Sequence, residues 1–412
     1  MSEIVIKFGG TSLATPELII NAAKKAAKTK EQYNRVVVVV SAMGSMTDEL
    51  TSLAYKITSK PDQRELDMLL TVGERISMSL FSMALNSMGY PSISLTGSQS
   101  GIVTDTRHGN ARIRNIEKER FLKHLDAGKI VIIAGYQGIS YAKEITTLGR
   151  GGSDLTAVAI AATIGASQCD IYTDVEGVFT ADPMIIKNAR KIDVISDEEM
   201  MELSGSGAGV LYPRAMELAR KNNIVIQIRS SFSENTGTFI KERDDMLEEV
   251  LVRAIACEEN QSMIRIRAIP DRSENMQLVF RALADEDITI DMITKNVSDS
   301  GITDLSFTVG ENDLDKTVNV TRGLLERVGA KEVTFKGDLA KVALVGIGMR
   351  SHSGVAALTF EELSKNDIDI EMITTSDIKI SILIKSENVE KAVRVLHDVF
   401  ELDKGGIKIS RN

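Results

Sequence analysis

The chain has 412 residues, room for two or three domains at about 150 residues each. Hydrophobic residues make up 43% and charged residues 26%, which excludes wholesale disorder, and a formal net charge of −9 with no basic run excludes a non-specific nucleic-acid binder. Two cysteines, Cys169 and Cys257, are too few for a disulfide framework, and neither has a partner at zinc-ligand spacing.

The N-terminus runs straight into Glu3-Ile4-Val5-Ile6-Lys7 without a basic leader, and no stretch of about 18 consecutive apolar residues occurs. The expectation is a cytoplasmic protein with no membrane span. Ile4–Phe8 reads as a strand that ends in Lys7-Phe8-Gly9-Gly10-Thr11-Ser12. Adjacent glycines let backbone amides approach a phosphate, and the lysine adds a point charge; the alternative is a plain Gly-Gly turn. Thr15 and Pro16 then read as the N-cap and first position of a helix reaching about Gln32. Val36–Val40 is β-branched throughout and apolar on both faces, the pattern of a parallel strand covered by helices on each side.

A long helix is expected from about Asp62 to Met88. It contains Leu70-Thr71-Val72-Gly73-Glu74-Arg75. A glycine costs about 1 kcal/mol relative to alanine there, so Gly73 marks either a break or a close approach, with Glu74 beside it; the alternative is a solvated Glu-Arg pair. Strands are expected at Ser92–Leu95, Ile130–Ala134, Asp170–Thr173 and Ile224–Ile228. Thr147-Leu148-Gly149-Arg150-Gly151-Gly152-Ser153-Asp154 precedes an Ala-rich helix that Ser153 or Asp154 could cap. A helix N-terminus with glycines forms an anion site, and Arg150 could grip a carboxylate. Tyr172 to Pro183 holds Asp174 and Asp182, which could orient a nucleotide or its Mg²⁺, or simply form solvated turns. The alternation of strands and helices predicts an open α/β layer fold.

Past Lys241-Glu242-Arg243-Asp244-Asp245 the pattern changes. Ile288-Thr289-Ile290-Asp291-Met292-Ile293-Thr294 is repeated as Ile368-Asp369-Ile370-Glu371-Met372-Ile373-Thr374. The same spacing pairs Phe280 with Phe360, Leu283 with Leu363, and Ile264 with Leu344. Each copy reads strand, helix, strand, strand, helix, strand, the ferredoxin-like pattern, so a tandem duplication is expected. No GxxxxGK[ST] loop or GxGxxG follows a strand, and the four histidines His108, His124, His352 and His397 lie near no nucleophile motif.

Taken in order, KFGGTS at 7–12, VVSAMGSMT at 39–47, LLTVGERIS at 69–77, TTLGRGGSD at 146–154 and YTDVEGVFTADP at 172–183 resemble the aspartate kinases of the amino-acid kinase family. The repeat resembles that family's tandem ACT domains. The resemblance implies an open, mainly parallel sheet sandwiched by helices over 1–245, and ACT domains over 246–336 and 337–412. It implies transfer of a phosphoryl group from MgATP to the β-carboxylate of L-aspartate. In that reading Lys7 stabilises the transferred group and Asp154 orients Lys7. Thr47, Glu74, Arg150 and Ser153 hold the substrate, Glu74 through its α-amino group. Phe8, Gly9, Gly10, Ser41, Thr173, Asp174, Phe179, Asp182 and Met184 line the ATP site with Lys7, no metal being held by the protein itself. Gly209, Tyr212 and Met184 depart from residues common in relatives.

In the repeats, Asp271, Asp291, Asn296, Met349, Ser351, His352, Asp369 and Ile370 match positions near amino-acid effector sites. Feedback inhibition by lysine, threonine or both is therefore expected, in the first step of the aspartate-derived biosynthetic pathway. A homodimer or higher oligomer paired through ACT edges is expected, and a start near Met246 could supply a separate regulatory chain. The competing readings are a sibling kinase acting on glutamate, and an amino-acid sensor with an inactive kinase domain. The chemistry fits the composition: a carboxylate of pKa about 3.9 is already ionised at neutral pH, so no general base is required.

Overall fold

The computed structural model of the chain describes residues 2–242, 250–297, 301–351 and 354–407. These form two compact units, one from 2–178, 191–204 and 209–242, the other from 179–190, 205–208 and 250–407. The expected boundary at 245/246, and with it Met246, lies outside the described residues.

Up to residue 242 the chain runs β1 (Glu3–Phe8), α1 (Pro16–Gln32), β2 (Arg35–Val40), α2 (Met46–Ile57), α3 (Gln63–Leu70), α4 (Val72–Ser87), β3 (Ser92–Leu95), β4 (Ile102–Thr104), β5 (Ile113–Ile116), α5 (Glu119–Asp126), β6 (Ile130–Ala134), β7 (Gln137–Ser140), β8 (Ile145–Thr147), α6 (Gly152–Ile164) and β9 (Gln168–Thr173). It continues through β10 (Val178–Phe179), β11 (Lys191–Ile192), β12 (Val194–Ser196), α7 (Asp197–Ser204), α8 (Pro213–Lys221), β13 (Val225–Ser230) and β14 (Thr238–Lys241).

Eight strands make one sheet in the order β12-β14-β13-β9-β1-β2-β6-β3. Its centre is parallel throughout, and β14 returns antiparallel to β13. Ile4, Ile6 and Phe8 of β1 and alternate valines of β2 pack under the alanines of α1 and under Phe81 and Leu85 of α4. The intervening side chains, Val5 and Lys7, therefore face the other side, where α6 packs on β1 and β2. That helix is buried along most of its length, as its alanines and valines dictate. A second sheet, β5-β4-β7-β8, stands beside the glycine loop that follows β8.

The expected long helix is two. α3 ends at Leu70 and α4 begins at Val72, with Thr71 at the joint. The combined run Gln63–Ser87 is long and apolar enough to span a membrane, a property not foreseen from the sequence; 56% of its apolar window is buried inside the fold, as in the core helix of a globular protein. Thr15 caps α1 as expected, accepting from the Leu18 amide. At α6 the expectation fails: Gly151, in the left-handed region, is the N-cap, and neither Ser153 nor Asp154 caps the helix.

The second unit contains β15 (Ala254–Pro270), α9 (Ser273–Asp285), β16 (Ile293–Val297), β17 (Ile302–Gly310), α10 (Leu314–Gly323), α11 (Leu325–Val328), β18 (Glu332–Val345), α12 (Gly354–Lys365), β19 (Met372–Thr375), β20 (Lys379–Lys385) and α13 (Val389–Val399). Its strands form one sheet, β16-β17-β15-β18-β20-β19. The long strands β15 and β18 are shared between two ferredoxin-like halves. Gln261–Pro270 pairs with β17, and Leu339–Val345 pairs with β20. The fourth strand of the second half is Ala254–Glu258, which pairs with Lys341–Val345 but precedes the whole first half in the chain. The two repeats are thus nested rather than consecutive. A period-two pattern reveals a strand but not its partner, and a β-bulge between Glu258 and Met263 is where β15 passes from one half to the other.

Candidate active site

Backbone proximity builds the site. β1 and β2 lie side by side, so the turns that follow them meet. Gly9 donates its amide to the Tyr172 carbonyl at 3.0 Å, and Gly44 donates to the Gly10 carbonyl at 2.9 Å. A Cβ on Gly10 would stand 3.0 Å from the carbonyl oxygens of both Ala42 and Gly44, which is why a glycine is required there. Gly73, in the first turn of α4, works the same way: a Cβ there would lie 2.6 Å from the Ala42 Cβ. Both alternatives offered by its sequence position hold, a break at Thr71 and a close approach at Gly73, and they bring Glu74 to the end of β2.

A cleft of about 280 Å³ opens over these turns. Lys7 and Gly10 line it from the end of β1, Ser41 from the end of β2 and Thr47 from the first turn of α2. Glu74, Arg150, Ser153 and Asp154 line it from α4, the glycine loop and α6. Lys7 Nζ lies 2.6 Å from Asp154 Oδ1, and both side chains are nine-tenths buried or close to it. Glu74 is buried, and its Oε2 has no hydrogen-bond partner. Burial pushes its carboxyl up to about 7, against the pull of the backbone amides of Glu74 and Ala42. Arg150 is exposed at the rim. A buried carboxylate with one oxygen left without a hydrogen-bond partner, in one cleft with an exposed guanidinium, suits a ligand carrying an ammonium at one end and a carboxylate at the other.

Phe8, Thr173 and Asp174, three of the nucleotide-site candidates, are not among the residues that line this cleft. The Phe8 ring is in the core, stacked on Tyr172 with centroids 4.8 Å apart, so only its backbone is at the strand end. Thr173 and the exposed Asp174 follow β9, with Thr173 Oγ1 donating to Asp174 Oδ1 at 3.0 Å. Phe179, Asp182 and Met184 belong to the second unit. Asp182 Oδ1 accepts the Met184 amide at 2.8 Å in a local turn, and Met184 is 91% exposed.

The cleft also holds Tyr136, which was not singled out from the sequence, and Tyr212, noted there only as a departure from relatives. The Tyr212 ring occupies the space a Cβ on Gly151 would need. Tyr136 holds a left-handed backbone at φ 67° just after β6, an unusual conformation for an aromatic residue that no sequence pattern announces. Among the described residues no group of three or more His, Cys, Asp or Glu side chains could hold a metal.

In the second unit, Asp271 pairs with Lys295 at 2.6 Å. Asp291 pairs with the buried Lys341, which also meets Glu258 at 2.7 Å and the Gly205 carbonyl at 3.3 Å. Burial pulls the Lys341 ammonium down, but the two carboxylates outweigh it and the net shift is upward. Asn296 and Asp369 are exposed, while Met349 and Ile370 pack against the core of the second half. His352 and the Ser351 side chain lie outside the described residues.

The sheet order, the helix-covered centre and a lysine-carboxylate cleft at the carboxyl ends of parallel strands define an open α/β domain with a charged ligand cleft, in a chain that also holds a ferredoxin-like pair. Residues 2–230 match the amino acid kinase family, and residues 342–400 match the ACT domain. The chain is 46% identical over 411 residues to the aspartokinase of Bacillus sp. (strain MGA3), covering 100% of both chains. It is 46% identical over 404 residues to aspartokinase 2 of Bacillus subtilis (strain 168), covering 98% of this chain and 99% of that one. Among solved structures it is similar to E. coli aspartokinase III in complex with aspartate and ADP, with a TM-score of 0.82, 25% identity, and 97% and 99% of the two chains covered. The chain belongs to the amino acid kinase family, and within it to the aspartokinases, kinases that phosphorylate aspartate.

Proposed function

We propose that this protein transfers the γ-phosphoryl group of ATP to the β-carboxylate of L-aspartate, giving 4-phospho-L-aspartate and ADP. The observation that carries the reading is the buried Lys7–Asp154 pair at 2.6 Å, in one cleft with Glu74, whose Oε2 has no hydrogen-bond partner. A β-carboxylate oxygen attacks the γ-phosphorus; the bond to the bridging oxygen of ADP breaks as the new P–O bond forms. No proton moves, since the nucleophile is ionised and the leaving group departs as an anion. Catalysis is then positioning and charge neutralisation.

Asp154 fixes the Lys7 ammonium where negative charge collects on the transferred group. Glu74 accepts the substrate ammonium, Arg150 and Ser153 hold its α-carboxylate, and Thr47 closes the near wall. Gly9, Gly10 and Ser41 lie against the nucleotide phosphates. Thr173, Asp174, Phe179, Asp182 and Met184 remain candidates for the rest of the nucleotide. The carboxylates of the cleft are committed, Asp154 to Lys7 and Glu74 to an ammonium, so Mg²⁺ fits as a companion of the nucleotide phosphates, where it supplies charge neutralisation, rather than as a protein-held ion.

The ACT pair supports allosteric regulation, and we assign lysine, threonine or both as feedback effectors, with Asp271, Asp291 and the loop near Met349 as the residues to probe. Similarity to E. coli aspartokinase III in complex with lysine and aspartate (T-state), at 25% identity and a TM-score of 0.74, supports lysine as the first effector to try. A cytoplasmic homo-oligomer completes the reading. Incubation with MgATP, L-aspartate and hydroxylamine tests it: aspartyl hydroxamate is expected from the wild type and not from Lys7→Ala. Hydroxamate from glutamate instead would move the assignment to a sibling kinase.

A further inference from the structure

The glycine loop that carries Arg150 is braced by a buried carboxylate outside the cleft. Asp67 lies on α3 and is almost wholly buried. Its Oδ1 accepts from Thr147 Oγ1 at 2.5 Å, and its Oδ2 meets His108 Nδ1 at 2.7 Å. Both oxygens accept the Gly109 amide, at 3.1 and 3.2 Å. Every acceptor position is thus used, which is the condition for keeping a carboxylate in the interior.

The two ends of this network bear on the proposed amino-acid site. Thr147 is the last residue of β8, three before Arg150, and the next residue, Leu148, donates its amide at 2.8 Å to the carbonyl of Tyr136, which lines the cleft. Asp67 sits one turn before the Thr71 joint, on the helix that leads into Glu74. The Thr71 carbonyl accepts from Gln137 Nε2 at 3.1 Å, a second tie across the same gap. The loop between them is held too. Arg214 donates to the Leu148 carbonyl at 2.6 Å and the Ala111 carbonyl at 2.8 Å, and Asn110 fills the space a Cβ on Gly149 would take.

We infer that Asp67, acting through Thr147, is a positioning residue that sets the Arg150 loop against the Glu74 helix, and so sets the spacing between the sites for the carboxylate and the ammonium of the acceptor amino acid. It touches neither substrate. This rests on the phosphotransfer reading above and extends it to residues that reading does not use. His108 and Gly109 complete the carboxylate's coordination from the loop that also packs on Gly149.

The test is steady-state kinetics on the full chain with Thr147→Val, which keeps shape and removes the hydroxyl, against Thr147→Ser, which keeps the hydroxyl. Thr147→Val is expected to raise KM for aspartate about ten-fold, with KM for ATP within about two-fold of the wild type, and Thr147→Ser to restore the wild-type value. Asp67→Asn is expected to follow Thr147→Val. Equal effects of Thr147→Val and Thr147→Ser, or equal rises in both KM values, would overturn the inference, as would two variants that match the wild type. Should Asp67→Asn fail to fold, the Val/Ser pair decides alone. Wild-type turnover of aspartate is measured in the same series, so failure of the phosphotransfer reading is visible separately.

Discussion

Lys7 and Asp154 stand 147 positions apart in the sequence (154 − 7) and meet at 2.6 Å because α6 packs on β1. With side-chain exposures of 10% and 8%, neither charge is well hydrated. Removing one partner leaves the other buried and uncompensated, at about 3–5 kcal/mol. Asp154→Ala is therefore expected to lower the unfolding free energy by that order, and Lys7→Met with Asp154→Leu together to cost less than either alone. Denaturant unfolding of the two single variants and the double variant measures this. All three are expected to lose phosphotransfer.

Glu74 gives a pH dependence. Its folded-state pKa of about 7 lies above the ordinary 4.5, raised first by burial. A raised carboxyl means the folded state prefers the protonated form, so stability from this group is fully present below 4.5 and is lost as pH rises through 7. Glu74→Gln is expected to stabilise the unliganded protein at pH 8 by up to about 3 kcal/mol while abolishing useful aspartate affinity.

The same group governs substrate binding with the opposite sign. An ammonium needs the carboxylate, so KM for aspartate is expected to rise about ten-fold from pH 8 to pH 6, with kcat changing less. A flat KM across that range would show that Glu74 is not the ammonium partner.

Gly73 and Ala42 form a contact with no slack. Gly73→Ala puts a methyl 2.6 Å from the Ala42 Cβ, and overpacking of this kind costs about 1–3 kcal/mol, more than the alanine gains in helix propensity. Ala42→Gly is expected to recover most of the loss when combined with it. Thermal unfolding of the three variants reads the coupling directly.

The nested strand makes a prediction about fragments. The second ferredoxin-like half takes Ala254–Glu258 as its fourth strand. A fragment of residues 337–412 is expected to remain unfolded, and one of 250–412 to fold cooperatively, as circular dichroism and thermal melting would record.

Much of this architecture is legible in the residues. The five valines of β2 announce a strand covered on both faces, and Thr15-Pro16 announces the start of α1; both stand where the spacing puts them. Lys7, Gly10, Glu74 and Arg150 were legible because glycines at strand and helix ends constrain the backbone locally. Asp67, Tyr136 and Arg214 were not. Their partners are distant in sequence, and a buried aspartate looks like a solvated one until its donors are placed around it. The nested strand was hidden for a similar reason: Ala254–Glu258 pairs with residues of the second repeat, and alternation carries no record of partner. Asp154 was visible as a helix-start residue, but Gly151 took the cap and left the carboxylate for Lys7.

The central claim is that the β-carboxylate of aspartate becomes bonded to phosphorus. Aspartate labelled with heavy oxygen in the β-carboxylate, turned over with MgATP and trapped with hydroxylamine, releases phosphate that phosphorus NMR can inspect. The account predicts one heavy oxygen in that phosphate, and none when only the α-carboxylate is labelled. Label arriving from the α-carboxylate, or unlabelled phosphate in both cases, would contradict it.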